Sequence, residues 1–351
     1  MALKIELHRE IGNFQLNMKA STESKRIGIL GASGCGKSMT LKCIAGIEKF
    51  ANGFVILDDK VLADTAKKIN LKPQKRKLGY LFQNYALFPT MTVEKNIAMG
   101  LSGLSKTDID AKVAEMIKRF KLEGLEKQIP DQLSGGQQQR TAIARIMAYE
   151  PGLIMLDEPF SALDGHLKEK LVLEMQEMLL GYQGTVLLVS HNREEIYQLT
   201  DEVFVMADGK LICQGPTKEV FRNPKVLGAA KLTGCKNISP AEKRGEYLVY
   251  AKDWDLLLHT AEPVNDDCTY VGIRAHHLQP VFEKSENCFA VQLNSVIAAP
   301  FEVVRLVKNA DSPQCREIWW KVSKNGEEED EEQNIPPFLK IPKANLLLLT
   351  E

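Results

Sequence analysis

Short apolar runs alternate with amphipathic stretches over the first two thirds of the chain. Uninterrupted apolar runs are typical of strands buried on both faces, and apolar residues at helical spacing are typical of helices. Strands are predicted at residues 3–7, 14–20, 26–30, 54–57, 61–62, 77–82, 153–156, 185–190 and 203–207. Helices are predicted at residues 39–46, 93–100, 108–120, 134–148, 164–180 and 193–199. This alternation indicates an α/β fold with a mostly parallel sheet, preceded by an antiparallel hairpin.

The pattern changes after Pro224, where the helical spacing fades and short strand-like runs follow one another. They lie at residues 247–251, 255–259, 270–274, 289–294, 302–307, 317–322 and 338–341. Strands at this spacing, separated by turn residues, are typical of a small β-barrel or sandwich. We therefore predict two domains, at residues 1–230 and 235–351. The acidic run at residues 327–332 is expected to be a solvated loop, because its like charges repel one another.

The composition is that of an ordinary soluble protein, with 44% hydrophobic and 26% charged residues. A net charge of −1 provides no overall field that would recruit nucleic acid. No apolar run reaches the roughly 18 residues of a membrane span, and the first residues lack the apolar core of a signal peptide. Seven cysteines at irregular spacing fit a reducing compartment. We expect a cytosolic chain whose membrane role, if it has one, comes through a partner.

The candidate chemistry begins with a glycine-rich loop between a buried strand and a helix. The loop has the G-x-x-x-x-G-K-[ST] pattern, in which backbone N–H groups surround phosphate oxygens and the helix N-terminus adds its positive dipole end. Lys37 is expected to reach the β- and γ-phosphates, and Ser38 to bind Mg²⁺. The predicted nucleotide contacts are Gly31, Ala32, Ser33, Gly34, Cys35, Gly36, Lys37, Ser38 and Met39.

Cys35 lies inside this loop, close to Lys37 and to a helix N-terminus. Both features lower the pKa of a thiol. The thiol is expected to be exposed in the empty loop and covered by bound phosphate. A simpler alternative is that the position requires only a small side chain.

Two acidic residues end the strand at residues 153–156. Asp157 is placed beside the phosphate loop, where it can hold Mg²⁺, and Glu158 can accept a proton from an attacking water. The alternative is an ordinary strand that ends in an acidic turn. His191 follows a parallel strand, and such positions point into the ligand crevice of α/β sheets.

A second anion-binding helix terminus is predicted at residues 134–137, which read Ser134, Gly135, Gly136 and Gln137. The serine is a suitable N-cap, and the glycines allow a charged group to approach the backbone closely. One nucleotide does not need two such cradles from one subunit, so this terminus is expected to face a nucleotide bound by a second subunit. An ordinary capped helix is the alternative.

The order and spacing of these motifs along the chain resemble those of the nucleotide-binding subunit of an ATP-binding cassette transporter over residues 3–225. The resemblance implies that Gln83 contacts Mg²⁺ and the attacking water, that Asp164 bridges a dimer interface, and that His191 contacts the γ-phosphate. The family usually stacks adenine on an aromatic residue just before a glycine, where this chain has Ile11. Phe14 is the nearest aromatic and is the predicted stacking residue, with a core position as the alternative.

Taken together, the predicted site has three parts. The catalytic set is Lys37, Gln83, Glu158 and His191, and the metal set is Ser38, Gln83 and Asp157. The remaining nucleotide contacts are those of the phosphate loop, Phe14, the helix terminus at residues 134–137 and Asp164. ATP and Mg²⁺ are the predicted cofactors.

The C-terminal part resembles the small oligonucleotide-fold accessory domain of bacterial importers, on the residues 270–277. The stretch 190–197 resembles the molybdate and sulfate branch. His276 and His277 lack a partner at metal-ligand spacing, so no metal site is predicted there. Trp319 and Trp320 lack an accompanying basic stripe, so a core or interface role is expected and no nucleic acid is predicted as a partner.

The resemblance implies an ATP-hydrolysing subunit of an importer on the cytoplasmic face of the membrane. It implies a homodimer, two integral-membrane permease subunits, an extracytoplasmic substrate-binding protein, and a C-terminal domain that either binds an oxyanion or is an inert scaffold. Molybdate is the first choice of cargo, with sulfate or tungstate next. The alternatives are a sugar, polyamine or iron importer, and a soluble cassette ATPase, although such ATPases usually have two cassettes or coiled-coil inserts.

Overall fold

The computed structural model describes residues 2–161, 165–324 and 335–351, without the side chains of residues 165–167. The predicted interface residue Asp164 and the acidic run at 327–332 therefore lie outside the described residues. The chain divides into two compact units, residues 1–218 and 219–351. The domain limits near residues 230 and 235 stay a prediction, because compactness alone does not show where a folding unit ends.

The first unit has eleven strands and seven helices in its described part, besides short 3₁₀ turns at residues 99–101 and 130–132. The strands are β1 (Leu3–Ile11), β2 (Phe14–Thr22), β3 (Arg26–Gly31), β4 (Asn52–Leu57), β5 (Lys60–Asp64), β6 (Ile69–Asn70), β7 (Leu78–Leu81), β8 (Leu153–Asp157), β9 (Thr185–Ser190), β10 (Glu202–Ala207) and β11 (Lys210–Pro216). The helices are α1 (Lys37–Ala45), α2 (Pro73–Arg76), α3 (Val93–Ala98), α4 (Lys106–Arg119), α5 (Gly135–Ala148), α6 (Gly165–Leu180) and α7 (Arg193–Leu199). A further helix, α8 (Thr217–Arg222), contains the division between the units.

All eleven strands form one sheet in the order β6-β5-β4-β1-β2-β11-β10-β3-β9-β8-β7. The last five strands in this order, from β10 to β7, are parallel. The strands from β6 to β2 pair in antiparallel fashion, and helices α3, α4 and α5 pack on one another. The predicted parallel sheet, its antiparallel subdomain and a helical subdomain are therefore all present.

The parallel strands are mostly buried, as their continuous apolar sequences predict. Strands β8 and β9 are buried at every position. Burial of each large apolar side chain contributes about 1.5–3 kcal/mol, so these strands form a rigid base. Because β3, β8 and β9 run in the same direction, their carboxyl ends meet at one edge of the sheet, where ligands bind in such folds.

The second unit is almost entirely β, as predicted. After α9 (Leu227–Leu232) its described part has ten strands, and short 3₁₀ turns lie at residues 275–277 and 343–345. The strands are β12 (Asn237–Gly245), β13 (Leu248–Ala251), β14 (Leu256–His259), β15 (Tyr270–Ile273), β16 (Gln279–Val281), β17 (Cys288–Ala298), β18 (Glu302–Asn309), β19 (Ile318–Ser323), β20 (Phe338–Lys340) and β21 (Leu347–Leu349). They form two five-stranded sheets, ordered β14-β13-β12-β15-β21 and β16-β20-β17-β18-β19.

The core of the second unit contains Trp254, Phe289 and Trp320, each at most 4% exposed. The predicted core role of Trp320 is therefore correct. Strand β12 was not predicted, because Pro240 lies within it and proline normally argues against a strand interior. Within the described ranges, no helix is long and apolar enough to cross a membrane.

Candidate nucleotide site

The glycine-rich loop joins β3 to α1, and its backbone requires glycine at two positions. Gly34 has φ 81° and Gly36 has φ 104°, both in the left-handed region that favours glycine. A Cβ atom added at Gly36 would also lie 2.9 Å from the ring of Phe14. The sequence pattern therefore reflects a backbone constraint, which turns the loop toward the N-terminus of α1.

Lys37 is the first residue of α1 and is only 4% exposed. Its Nζ donates hydrogen bonds to the carbonyl oxygens of Gly31 and Ala32, each at 2.9 Å. The same Nζ lies 3.8 Å from Oε1 of Glu158. Two neutral carbonyl groups thus hold the ammonium group across the loop. A negatively charged phosphate can replace them as the acceptor, because it forms a stronger hydrogen bond.

Asp157 ends β8, and hydroxyl groups bind both of its carboxylate oxygens. Ser38 Oγ donates to Oδ1 at 2.7 Å, and the Tyr80 hydroxyl donates to Oδ2 at 2.8 Å. Burial, together with the Asp157 charge, raises the pKa of Tyr80 well above its usual range. The sequence analysis missed Tyr80, although a tyrosine in a buried strand next to an acidic strand end needs a partner for its hydroxyl.

Glu158 follows Asp157 with φ 47°, a left-handed backbone that is uncommon for a residue other than glycine. Its N–H donates to the Val189 carbonyl at 3.0 Å, which fixes the turn against β9. Oε2 lies 3.2 Å from Nδ1 of His191, while Oε1 faces Lys37. Three predicted catalytic residues therefore lie together, with Lys37 and His191 on either side of the Glu158 carboxylate.

Gln83, the fourth predicted catalytic residue, lies just beyond β7. Its Nε2 donates to Ser161 Oγ at 3.1 Å, and Ser161 Oγ donates to the Glu158 carbonyl at 3.0 Å. Gln83 is thus connected to the segment that carries Glu158. Its contact with Mg²⁺ and with the attacking water stays a prediction.

Ser134 is the N-cap of α5, as predicted. Its Oγ accepts from the Gln137 N–H at 3.4 Å, and Gln137 Oε1 accepts from the Ser134 N–H at 2.8 Å, so the two residues form a capping box. Farther along the same helix, the buried Gln139 donates to the Pro159 carbonyl at 3.0 Å. Helix α5 is therefore tied to the segment that follows Glu158. Anion binding at Ser134, Gly135, Gly136 and Gln137 stays a prediction.

The expected exposure of the Cys35 thiol was wrong, whereas its place among the nucleotide contacts stays a prediction. The residue is 7% exposed and belongs to the hydrophobic core of the first unit. Burial raises the pKa of the Cys35 thiol, and this effect outweighs the opposing charge of Lys37. Proximity to a lysine and a helix N-terminus lowers a thiol pKa only where the thiolate is also solvated or stabilised, which is not the case here.

Phe14, the predicted adenine-stacking residue, is partly buried and packs against the same core. Its ring faces Gly36 of the phosphate loop. This position fits the alternative core role, and adenine stacking stays a prediction. Ile11, at the end of β1, is 40% exposed.

The residues around Asp157 suit Mg²⁺. A hydroxyl and a carboxylate supply the hard oxygen ligands that Mg²⁺ prefers, and sites of this type take their other ligands from substrate phosphates and water. No group of three or more His, Cys, Asp or Glu side chains that could hold a metal ion occurs in the part of the chain that the structure describes. Ser38 and Asp157 would hold the ion together with the substrate.

A cavity of about 520 Å³ lies within the second unit. Its charged lining consists of Arg222, Lys225, Arg274, Lys343, Glu262 and Asp267. Arg274 donates to the carbonyls of Phe221 and Thr233. His277 also lines the cavity; its buried Nδ1 is without a hydrogen-bond partner among the described atoms, and burial lowers its pKa. The lining thus combines four cations and two acids with a histidine whose pKa is lowered.

Residues 14–161 match the family model described as ABC transporter. The chain is 39% identical over 235 residues to the spermidine/putrescine import ATP-binding protein PotA of Thermotoga maritima, covering 66% of this chain and 62% of that protein. It is 40% identical over 231 residues to PotA of Clostridioides difficile, covering 65% and 64%. It is 39% identical over 236 residues to the sulfate/thiosulfate import ATP-binding protein CysA of Neisseria meningitidis, covering 64% of each chain. The chain thus spans somewhat less than two thirds of the length of these relatives.

Among solved structures, the chain is similar to the dimeric, post-hydrolysis state of the ATP-binding cassette MJ0796 bound to ADP and phosphate. The TM-score is 0.51 at 26% identity, covering 61% of this chain and 98% of that one. The predicted ATP-binding cassette fold is therefore confirmed. The three relatives are named as import ATP-binding proteins for spermidine/putrescine or for sulfate/thiosulfate, and none of the three is named for molybdate.

Proposed function

We propose that this chain is the ATP-hydrolysing subunit of an importer of the ATP-binding cassette class. The observation that carries the proposal is the grouping of Lys37, Glu158 and His191 where the parallel strands end. The match of residues 14–161 to the ABC transporter family supports it, as do relatives named as import ATP-binding proteins.

Lys37 and the loop bind the phosphates of ATP. The loop N–H groups and the N-terminus of α1 attract the negative charge. Lys37 exchanges its two carbonyl acceptors for phosphate oxygens, because a charged acceptor forms the stronger bond. Ser38 and Asp157 would hold Mg²⁺ beside them, with Gln83 nearby. When bound, Mg²⁺ neutralises charge that develops on the phosphate oxygens.

Glu158 positions the attacking water and accepts part of its proton. A carboxylate is a weak base, so its value lies mainly in orientation. Its left-handed backbone and the bond of its N–H to Val189 hold the side chain between Lys37 and His191. His191 fixes one carboxylate oxygen at 3.2 Å and lies within reach of a γ-phosphate in the same crevice.

Two copies of the chain complete each site. The capped terminus of α5 has two glycines in its first turn and offers free N–H groups to an anion. In a head-to-tail homodimer, Ser134 and Gly136 face the nucleotide bound by the partner, and Asp164 bridges the interface. Closure on ATP drives two permease subunits, fed by an extracytoplasmic binding protein, while this subunit stays peripheral on the cytoplasmic face.

The test is ATP binding and hydrolysis by the purified chain. Lys37→Ala should abolish both, whereas Lys42→Ala, on the same helix, should change neither. The second arm expresses the chain with its neighbouring membrane proteins and asks what co-purifies. A permease supports the importer, and ribosomes or nucleic acid would favour a soluble cassette ATPase. Hydrolysis that survives Lys37→Ala would overturn the assignment.

For the cargo, we keep an oxyanion as the first proposal. The sequence favours molybdate, CysA supports sulfate, and the two PotA relatives favour a polyamine. Growth of a deletion strain on limiting molybdate, sulfate or spermidine decides between them, with re-expressed Glu158→Gln as the inactive control. Rescue on spermidine alone would overturn the oxyanion proposal.

The cavity of the second unit is our proposed location for a regulatory oxyanion. Its four cations outnumber its two acids, and the unpaired Nδ1 of His277 can take part in a new hydrogen bond. Calorimetry of the full chain with molybdate and with sulfate tests this. A Lys37→Ala background is needed, because either anion could also occupy the phosphate loop. Binding that Lys225→Gln weakens supports the site, and absence of heat would leave the second unit as a scaffold.

A further inference from the structure

The hydroxyl of Tyr80 is the feature of the candidate site that none of the sequence motifs includes. Tyr80 lies in β7, opposite Met155 of β8 in a parallel pairing. From there its hydroxyl donates to Asp157 Oδ2 at 2.8 Å. Ser38 occupies the other carboxylate oxygen at 2.7 Å. The carboxylate is therefore held at both oxygens, from two different elements of the fold.

The Tyr80 ring is well placed to fix the position of its hydroxyl. It packs against the core of the first unit and lies 4.3 Å from the Phe82 ring, centroid to centroid. Strand β7 is hydrogen-bonded along β8, so the tyrosine and the aspartate belong to one rigid piece of sheet. The hydrogen bond from this hydroxyl thus restricts rotation of the Asp157 carboxylate.

We propose that Tyr80 is a positioning residue for Mg²⁺, acting through the carboxylate of Asp157. The inference rests on the proposed function, in which Ser38 and Asp157 hold the ion. Ser38 can donate its hydroxyl proton to Asp157 and still offer a lone pair to a cation. A carboxylate has about four lone-pair sites, so two hydroxyl donors leave sites for the metal or its water. By occupying one lone pair of Oδ2, Tyr80 determines which of the remaining lone pairs of Asp157 face the metal.

Groups that orient metal ligands usually matter about 10- to 100-fold in metal affinity. We expect an effect near the lower end, about 10-fold, because Ser38 still holds one oxygen when Tyr80 is changed. The Tyr80→Phe substitution should change only the Mg²⁺ dependence of nucleotide binding. Nucleotide binding without the ion depends on Lys37 and the loop, and neither of them contacts the Tyr80 hydroxyl through a described hydrogen bond.

The chain offers a matched control in Tyr149. Its hydroxyl donates to the Leu78 carbonyl at 3.0 Å, at the beginning of the same strand. Tyr149→Phe therefore removes one hydrogen bond to β7 without touching Asp157. If Tyr80 merely stabilised the strand, the two tyrosine-to-phenylalanine variants should behave alike.

The experiment measures binding of a fluorescent ATP analogue to Glu158→Gln protein, so that nucleotide is not consumed. Titrations are made in EDTA and at increasing free Mg²⁺. Tyr80→Phe should bind the analogue normally in EDTA but need about 10-fold more Mg²⁺ to reach the tighter state. Tyr149→Phe should match the parent. In Asp157→Asn protein, Tyr80→Phe should have no further effect.

An unchanged Mg²⁺ midpoint in Tyr80→Phe would overturn the inference. Loss of binding by Tyr80→Phe in EDTA would also overturn it, because the hydroxyl would then serve the fold itself. Failure of the proposed function looks different, since the parent protein would then bind no nucleotide under either condition.

Discussion

The two units build their candidate sites in different ways. In the first unit, the polar groups lie at the ends of strands or at the start of a helix, so that a few short segments supply Lys37, Asp157, Glu158 and His191. In the second unit, the cations that line the cavity come from segments between residues 222 and 343. Short segments can be read as motifs, whereas a cavity assembled from distant residues leaves no pattern in the sequence. The first site can therefore be predicted from the sequence, whereas the second can be recognised only in the structure.

The nucleotide site and the cavity of the second unit also differ in how their polar atoms are satisfied. Asp157 has a hydroxyl donor on each oxygen, and Glu158 has a basic side chain near each oxygen. His277, by contrast, has a buried Nδ1 with no hydrogen-bond partner in the described part of the second unit. Preorganised groups suit catalysis, which gains most when nothing must reorient. An unpaired buried atom instead suits a group that changes partner when a ligand enters.

The largest expected effect is on hydrolysis, in the first unit. Glu158→Gln keeps the size of the side chain but removes its basicity, so hydrolysis should slow by on the order of 10²–10⁴. Nucleotide binding should persist, and the protein should accumulate as an ATP-bound dimer. Steady-state hydrolysis and gel filtration measure the two effects. Near-normal turnover would exclude the role given to Glu158.

The next change tests whether each site needs a second copy. Ser134→Arg places a bulky cation where the γ-phosphate of the partner is expected, so the monomer should bind ATP while hydrolysis is largely lost. Gln138→Arg, a nearby substitution on α5, provides a control for the added charge. Full activity of the Ser134→Arg homodimer would rule out a shared site.

Mixing Ser134→Arg chains with Lys37→Ala chains sharpens this result. Both lesions can fall in one site of the heterodimer, which leaves the other site intact. Some activity in the mixture shows that the sites work independently, and none shows that both must be intact.

A substitution in the core of the second unit tests whether the stability of that unit affects ATP binding by the first unit. Trp254→Ala removes the largest fully buried side chain there and should cost about 3–5 kcal/mol of stability. ATP affinity should stay the same. Phe204→Ala, equally buried in the first unit, should lower both stability and ATP affinity. Thermal denaturation with and without ATP measures this, and a fall in ATP affinity in Trp254→Ala would show that the units are not independent.

Much of the fold could be predicted because the signals are local. The capping serine of α5, the glycines of the loop and the acidic end of β8 each mark a boundary within a few residues. The prediction failed for β12, where Pro240 hides a strand that its neighbours β13 and β15 stabilise. Tyr80 was missed because its partner lies 77 residues away. The burial of Cys35 was missed because its position in the loop sequence does not show which strands pack over the thiol.

The smallest expected effect concerns Cys35, where the structure reverses the expectation from the sequence. The thiol is buried and its pKa is raised, so it stays protonated at neutral pH. Since only the thiolate reacts, a maleimide should label Cys35 slowly, and faster only as the pH rises above the usual thiol range. Mg-ATP should change this rate little, because the protein already covers the sulfur.

Cys288, which is only partly buried, is the internal reference and should be labelled first. Peptide mapping after short exposure identifies the modified residue. Cys35→Ala should retain most activity, since the Sγ mainly fills space beside Gly31. Rapid labelling of Cys35 that Mg-ATP blocks would contradict this, because it would show that the empty loop opens far enough to expose the thiol to solvent. The nucleotide site of the first unit would then be one that rearranges when its ligand arrives.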